Sequence, residues 1–455
     1  MQKFIWDQAL IEKYNYSGPR YTSYPTALEF DESFKYSQLI AAENDYPKRP
    51  LSLYVHIPFC HKLCYFCGCN KVITRHQNKA DKYLDYLELE INAQAPHFTN
   101  RQVTQLHWGG GTPTFLLPAQ ITRLMTLLRN NFNFQDNAEL SIEVDPREFE
   151  LSTIDHLAKE GFNRLSLGVQ DFNKEVQKAI NREQDEDFIG QILARAKQQG
   201  FQSTNLDMIY GLPLQTKQTF TDTLKKVTAL APARLSIFNY AHMPTLFAAQ
   251  RKINEDDMPK PAEKLAMLQH TIEYLTEAGY QFIGMDHFAK PDDELAIAQQ
   301  QGVLHRNFQG YTTQGEADLL GLGVSAISQI GKTYSQNQKK LNNYYTQIDE
   351  FGHAQWRGVS LNQDDLIRRE VIKKLICNFT LNIKQIEDKF DLIFNEYFAE
   401  DITLLQCFID DQLVEKTKTD INVQPKGRLL IRNICMCFDV YLRQKVRQQQ
   451  FSRVI

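Results

Sequence analysis

From residue 51 onward, short runs of consecutive apolar residues alternate with longer stretches whose apolar positions recur three or four apart. The first kind suits strands covered on both faces and the second suits the helices that cover them, so the pattern predicts βα units around a parallel sheet. Strands are predicted at 51–57, 103–108, 139–144, 164–169, 204–209 and 234–239, and helices between them at 79–95, 118–131, 152–160, 185–199 and 217–230, with one more at 261–278. Six units are too few to close a standard eight-stranded barrel. With right-handed crossovers they leave an open partial (β/α)6 barrel or a doubly wound α/β sheet.

In either arrangement ligands lie at the strand C-terminal ends, so polar residues and glycines should collect just past each strand. They do. The first strand leads into a cysteine loop and the second into Gly109, Gly110, Gly111 and Thr112; the third ends at Glu143 and Asp145, and the fourth at Gln170 and Asp171. The fifth carries Asp207 and is followed by Gly211, and the sixth ends near Asn239, Tyr240, Ala241 and His242.

Three segments flank this core. Residues 1–50 hold YNYSGPRYTSYPTALEF, whose Gly18, Pro19 and Pro25 break helices, so they are expected to form an ordered but irregular arm. After another β-type run at 280–290, the stretch HRNFQGYTTQGEADLLGLGVSAIS reads as irregular and as part of the same site. From 361 the pattern changes to amphipathic helices at 365–378 and 398–410, a short strand at 420–423 and a long helix at 428–450, a small mainly helical domain of winged-helix type. The division along the chain is therefore an arm at 1–50, a core at 51–360 and a C-terminal domain at 361–455.

Composition narrows the class. A chain of 455 residues that is 42% hydrophobic can bury a large core, and a net charge of -4 gives no overall attraction to nucleic acid. Residues 1–30 carry Lys3, Asp7, Glu12, Lys13, Arg20 and Glu29 among their apolar positions, which leaves no secretory or membrane-spanning run, so a cytoplasmic protein without membrane attachment is expected. No heptad seam is evident, which favours a monomer. Cys377, Cys407, Cys435 and Cys437 fall at or near apolar helix faces and read as buried, inert thiols.

The other half of the eight cysteines, Cys60, Cys64, Cys67 and Cys69, sit within ten residues of the loop after the first strand. Thiolates this close repel one another unless a positive centre lies between them, and a metal is the usual one. Tetrahedral zinc draws its ligands from two pairs a dozen or more residues apart, and no second Cys or His pair follows at that distance, so zinc is the weaker reading. The C-x3-C-x2-C spacing of Cys60, Cys64 and Cys67 lets one loop wrap three corners of an iron-sulfur cubane. Cys69 is a possible fourth ligand, although a Cys-Gly-Cys turn places its sulfur awkwardly for a second corner. If it is not a ligand, the fourth iron is open to a small molecule.

Other positions are weaker alone. The GGGTP run at 109–113 allows close backbone approach to a ligand, and equally makes an ordinary turn before a proline-started helix. Glu143 in IEVDP suits ribose hydroxyls or a rim salt bridge. Asp207 within LDMIYG is costly in an apolar strand unless paired or functional. Gly321 and Gly323 lack the βαβ context of a dinucleotide fingerprint, and a Rossmann site is rejected.

With Phe66 just before its last cysteine, the C-x3-C-x2-C loop resembles the signature of the radical S-adenosylmethionine (SAM) enzymes, whose open iron binds the amino and carboxylate groups of SAM. Taken with GGGTP, IEVDP, LSLGVQDF, LDMIYGLP, RYTSYPTA and HRNFQGYTTQG in order, the chain from near its first residue to its last resembles the oxygen-independent coproporphyrinogen III oxidase (dehydrogenase) family. The resemblance implies a partial radical-SAM barrel and a [4Fe-4S] cluster on Cys60, Cys64 and Cys67, with Cys69 characteristic of the family but not an iron ligand. It implies two SAM molecules, one at Tyr54, Gly110, Glu143 and Ile327, the other at Phe66, Gly111, Thr112, Gln170, Arg182, Asp207 and Ala241. Tyr54, Cys69 and Glu143 are the candidates closest to the chemistry.

The implied reaction starts with an electron from a donor such as flavodoxin or ferredoxin, which cleaves SAM to methionine and a 5′-deoxyadenosyl radical. That radical takes a hydrogen from the β-carbon of a propionate of coproporphyrinogen III. Loss of carbon dioxide and one more electron leaves a vinyl group, and a second round yields protoporphyrinogen IX. Arg20, Tyr21, Thr22 and Ser23 on the arm, with His305, Arg306 and Thr312, are candidates for the substrate carboxylates. The nearest rival is a heme-binding chaperone of the same superfamily, which keeps the three-cysteine motif but lacks the RYTSYPTA arm and a cysteine at the Cys69 position. With this ligand set, replacing Cys60, Cys64 or Cys67 by Ser abolishes cluster assembly in anaerobic reconstitution, whereas Cys69→Ser retains the iron; loss of iron from Cys69→Ser contradicts the assignment.

Overall fold

Six strands form where the apolar runs predict them, in a computed structural model of the chain that describes residues 5–444. They are β1 Leu51–Ile57, β2 Gln102–Gly110, β3 Asn133–Val144, β4 Arg164–Gln170, β5 Ser203–Tyr210 and β6 Arg234–Asn239. All are parallel and each pairs with the next in chain order. Sequential order without a reversal is the order of a barrel wall, which decides against the doubly wound alternative.

Between the strands run α1 Asn78–Gln94, α2 Pro118–Asn131, α3 Leu151–Lys159, α4 Glu186–Gln198 and α5 Lys217–Leu230. Their starts are chemically marked. Pro118 occupies the first turn of α2, the Asp185 side chain accepts from Phe188 N–H at α4, and Thr216 accepts from Thr219 N–H at α5. α1 buries Ala80, Tyr83, Leu84, Leu87 and Ile91, one stripe at helical spacing. These stripes cover alternate strand residues, among them Leu53, Val55, Leu106, Trp108, Ile142, Leu167, Leu206 and Leu235, all essentially without exposure. Each such side chain contributes roughly 1.5–3 kcal/mol on burial. The intervening strand positions are free to be polar, and that is where the site lies.

Past β1 on its other side the sheet continues with β7 Asp318–Leu322, parallel to β1 with Tyr54 opposite Gly321. β8 Ile327–Ile330, β9 Thr333–Asn337 and β10 Gln355–Ser360 then follow as antiparallel neighbours. The expectation of an irregular stretch here is overturned: β7 is wholly buried, and His305–Asn307 pairs with Gly310–Thr312 as a hairpin. The glycines that suggested a loop serve close packing. A β-carbon on Gly321 would lie 2.5 Å from the Ile327 carbonyl oxygen, so only glycine lets β8 fold back on β7.

Further corrections fall at the ends. The arm contains helices Gln8–Tyr14 and Tyr36–Asn44, the first capped by Asp7, although 18–25 is irregular as expected. In the C-terminal region helices Gln363–Asn378 and Ala399–Asp410 match expectation, and Thr380–Asn382, Val414–Lys416 and Asp420–Val423 make a small antiparallel sheet. The long helix at 428–450 is not continuous. A 3-10 turn, Pro425–Leu430, leads to short helices Ile431–Met436 and Val440–Gln444, because the Asp439 side chain accepts from the N–H groups of Tyr441 and Leu442 and starts a new helix; 445–450 lie outside the described residues. Cys377, Cys435 and Cys437 are buried, but Cys407 is exposed, on the face of its helix opposite Leu405 and Phe408.

The chain divides into two compact units. One spans Phe30–Tyr274 and Glu316–Ser360 and contains β1 to β10; the other gathers Leu275–Gly315 with the described parts of Met1–Glu29 and Leu361–Ile455. Among the described residues no helix is long and apolar enough to cross a membrane.

Candidate active site at the strand ends

The cysteine loop leaves β1 at Ile57 and is pinned at once by the glycine run after β2. Gly111 N–H donates to Ile57 O and Thr112 N–H to Phe59 O, both at 2.8 Å. Each glycine of the run has a local cause. A β-carbon at Gly109 would meet the Glu143 carboxylate at 2.9 Å, at Gly110 the His56 ring at 2.4 Å, and at Gly111 the Pro58 backbone at 2.6 Å, while Gly110 also adopts φ +114°. The run therefore fits strand end to cysteine loop, with the Gly111 and Thr112 amides already engaged.

The sulfurs have distinct surroundings. Cys60 is buried and accepts from Thr112 Oγ1 at 3.4 Å; burial pushes its thiol up to about 11. Cys64 Sγ accepts from Arg147 Nη2 at 3.1 Å and from Arg182 Nη1 at 3.2 Å. Both guanidiniums bind the Asp145 carboxylate, which burial would raise but Arg182 and Arg147 hold well below the usual carboxylate range. Cys67 accepts the Cys69 backbone N–H at 3.4 Å, and its thiol is pulled down to about 6, first by its hydrogen bond with the Cys69 thiol and then by Lys71. Cys60 and Cys67 are therefore shifted in opposite directions. Among the described residues no three His, Cys, Asp or Glu side chains gather round a point that would hold a single ion.

Tyr54 on β1 stacks on His107 of β2 with centroids 5.9 Å apart, and its hydroxyl bonds His56 Nδ1 at 3.0 Å. The Asn70 carbonyl lies 3.0 Å from His56 Nε2, which assigns the ring proton there and leaves Nδ1 to accept from Tyr54. Burial lowers the His56 pKa, keeping the ring neutral. Gly321 is the neighbour of Tyr54 across the β1–β7 pair, and a β-carbon on it would meet the Ile327 backbone, so this glycine lies between Tyr54 and the β8 strand that carries Ile327.

Glu143 at the end of β3 accepts from Gly110 N–H at 3.2 Å and lies 3.3 Å from His107 Nε2. Its side chain keeps 43% of its surface open although it lies deep in the unit. Desolvation alone would raise its pKa; His107 and the Gly110 N–H outweigh this and lower it, so the group is a carboxylate. Asp207 on β5 accepts from Ser166 Oγ at 3.0 Å and Asn205 Nδ2 at 2.8 Å, and Ser236 Oγ donates to Asn205 Oδ1 at 3.2 Å. Burial, then the charge of Glu143, raises Asp207 to about 6.

Arg182 crosses from Cys64 to the Gly168 carbonyl, and a β-carbon at Gly168 would lie 2.7 Å from its Nη2 and 3.0 Å from Gln170 Nε2. Phe66 packs at the edge of an apolar group formed by Val176, Ile180, Ile209, Leu212, Tyr240 and Ile253. Thus Cys60 meets Thr112, Cys64 meets Arg182, and Gly110 meets Glu143.

The substrate candidates Arg20, Tyr21, Thr22, Ser23, His305, Arg306 and Thr312 belong to the other compact unit. There Arg20 pairs with Asp286 at 2.9 Å, Tyr21 donates to Asp439 at 2.9 Å, and Arg306 stacks over Tyr311 at 4.7 Å. Sequence reasoning missed Arg147 at Cys64 and the inner polar row of His107, Ser141, Ser166, Asn205 and Ser236. The signal existed: the polar residues of QLHW, ELSIEV, RLSLG and NLDM recur at every second strand position.

The Radical SAM superfamily matches residues 54–227, and the HemN C-terminal domain matches 361–430. The oxygen-independent coproporphyrinogen III oxidase of Salmonella typhimurium is 67% identical over 454 residues, spanning 100% of this chain and 99% of that protein. That of Escherichia coli strain K12 is 67% identical over 455 residues with full coverage of both, and that of Pseudomonas aeruginosa is 52% identical with 99% of each covered. The solved structure of coproporphyrinogen III oxidase (HemN) from Escherichia coli, described as a radical SAM enzyme, matches with a TM-score of 0.93 at 64% identity, covering 97% of this chain and 100% of that one.

Asp207 supplies a pH test. Its folded pKa near 6 exceeds the ordinary 3.8, so its contribution to stability is full below about 4 and is lost as pH rises through 6. In urea unfolding, the stability of the unchanged protein relative to Asp207→Asn should fall by on the order of 3 kcal/mol between those limits and stay level above them. Parallel pH profiles for the two proteins would refute the buried, proton-retaining state.

Proposed function

The chain belongs to the oxygen-independent coproporphyrinogen III oxidase family, and on that premise we propose how its strand-end residues divide the work. The reaction is radical SAM decarboxylation of two propionates of coproporphyrinogen III to vinyl groups, giving protoporphyrinogen IX in heme biosynthesis. The residues present fit the cofactors of such chemistry, a [4Fe-4S] cluster and SAM. One loop offers three thiols as donors, and two guanidiniums face the Cys64 sulfur, where a bound anionic cluster would need balancing charge. When bound, the cluster supplies an electron for SAM cleavage and one iron open to SAM's amino and carboxylate groups.

In this reading Cys60, Cys64 and Cys67 hold the cluster, and Cys69 stays off the iron while its backbone N–H supports Cys67. Arg147 and Arg182 offset charge at Cys64, and Asp145 fixes both. Tyr54, Gly110, Glu143 and Ile327 line the first SAM molecule. Glu143 is suited to hydroxyl donors because it is ionised and partly open. Phe66, Gly111, Thr112, Gln170, Arg182, Asp207 and Ala241 line a second. Since the Gly111 and Thr112 amides are used within the protein, they contribute surface and the Thr112 hydroxyl rather than backbone donors.

The protein works as a monomer in the cytoplasm, reduced by a flavodoxin- or ferredoxin-like donor, with a catalytic core at 51–360 flanked by residues 1–50 and 361–455. Arg20, Tyr21, Thr22, Ser23, His305, Arg306 and Thr312 are kept as candidates for the substrate carboxylates. The observation that carries the reading is Cys64 held between two guanidiniums on a loop with three suitably spaced thiols. After anaerobic loading with iron and sulfide, the protein given SAM, a reductant, an electron acceptor and coproporphyrinogen III should form protoporphyrinogen and 5′-deoxyadenosine. Stable heme uptake without decarboxylation would instead identify a heme-binding protein.

A further inference from the structure

The cysteine loop is fastened on one side by the glycine run and His56. Its far side, from Tyr65 to Gly68, is held by a segment to which no role has been assigned, residues 242–253 after β6.

Gln250 is the centre of that contact. It is 2% exposed, and its amide is fully used: Oε1 accepts Met243 N–H at 2.6 Å, and Nε2 donates to Phe66 O at 2.9 Å and Ala241 O at 3.3 Å. One side chain thus ties the backbone of the cysteine loop, one residue before the third thiol, to the backbone at the end of β6. The preceding carbonyl, Tyr240 O, is held by Lys264 Nζ at 2.5 Å, so two successive carbonyls there are fixed from different elements.

Neighbouring contacts act in the same direction. The Phe247 ring lies against Gly68 so closely that a β-carbon there would sit 3.0 Å from it, and Phe247 N–H is bound to Met243 O. Lys252 Nζ lies 5.2 Å from the centre of the Tyr65 ring, and Ile253 belongs to the apolar group on which Tyr65 and Phe66 pack. Leu246 at the crest of the segment is 67% exposed and takes no part.

We propose that Gln250 is a positioning residue: it clamps the Phe66 carbonyl to Ala241, setting the distance between the cysteine loop and the end of β6. The consequence for SAM rests on the assignment of Phe66 and Ala241 to a SAM site; the clamp itself does not. A buried amide is suited to this role because it presents an acceptor and two donors from one rigid group, and losing the donors takes from two half-buried carbonyls the partner they share.

The test uses full-length protein, before and after anaerobic cluster loading, with Gln250→Leu, Gln250→Glu and Leu246→Ala. Gln250→Glu is nearly isosteric and keeps an acceptor for Met243 N–H but has no donor for Phe66 O, so it separates the clamp from simple volume filling. Hydrogen exchange in peptides covering 64–70 should quicken ~10-fold in both Gln250 variants and not in Leu246→Ala. The SAM concentration that half-saturates the SAM-dependent change in the cluster spectrum should rise ~10-fold. Exchange over 64–70 unchanged in both variants, or quickened uniformly along the chain, overturns the proposal. Local quickening with unchanged SAM half-saturation leaves the clamp standing and overturns the placement of Phe66 and Ala241 at SAM.

Discussion

Sulfurs that must all ionise within one short loop repel each other and resist leaving water, and the rest of the molecule can be read as the answer to that constraint. Cys60 is buried enough to keep its proton, while Cys67 is already inclined to lose it. Cys64 faces two guanidiniums whose positions are fixed by Asp145. Positive charge is thus built in beside one corner of the loop, and the irons of a bound cluster would face the thiolates themselves. Since Asp145 and Arg147 follow β3 and Arg182 follows β4, this balance depends on several strand ends meeting in register.

The barrel wall provides that register. Its strands carry apolar residues toward the helices and polar ones at alternate positions, so one pattern stabilises the fold and lays out the site. The Tyr54, His107 and Ser141 positions lie across neighbouring strands, as do Gly168, Asp207 and Ser236. Glycines appear where two parts of the backbone, or backbone and a required side chain, must pass closely. Gly110 makes room for His56, Gly168 for Arg182, and Gly321 for the backbone of Ile327 on the next strand. Such sites tolerate little change because the neighbouring atoms are themselves in use.

Much of this was legible in the chain. Strong apolar periodicity marked all six strands, and the polar residues after them marked the site end. The cysteine spacing marked the loop. What escaped had specific causes. β7 and β8 were hidden because Gly321 and Gly323 look like turn residues, whereas Gly321 is required by close packing between strands. The helix expected at 428–450 was interrupted by the Asp439 cap, a local hydrogen bond that periodicity cannot see. Periodicity also follows the chain in order and cannot show that Leu275–Gly315 joins the two ends of the sequence in one unit. Arg147 was missed because a guanidinium four residues past Glu143 shows no distinctive spacing to Cys64, from which 83 positions separate it.

If three thiols hold the cluster, one iron is left for SAM. Mössbauer spectroscopy of protein loaded with 57Fe, recorded with and without SAM, examines it most directly. SAM should shift the signal of one iron in four and leave the others unchanged. Four irons that respond alike, or none that responds, would contradict it.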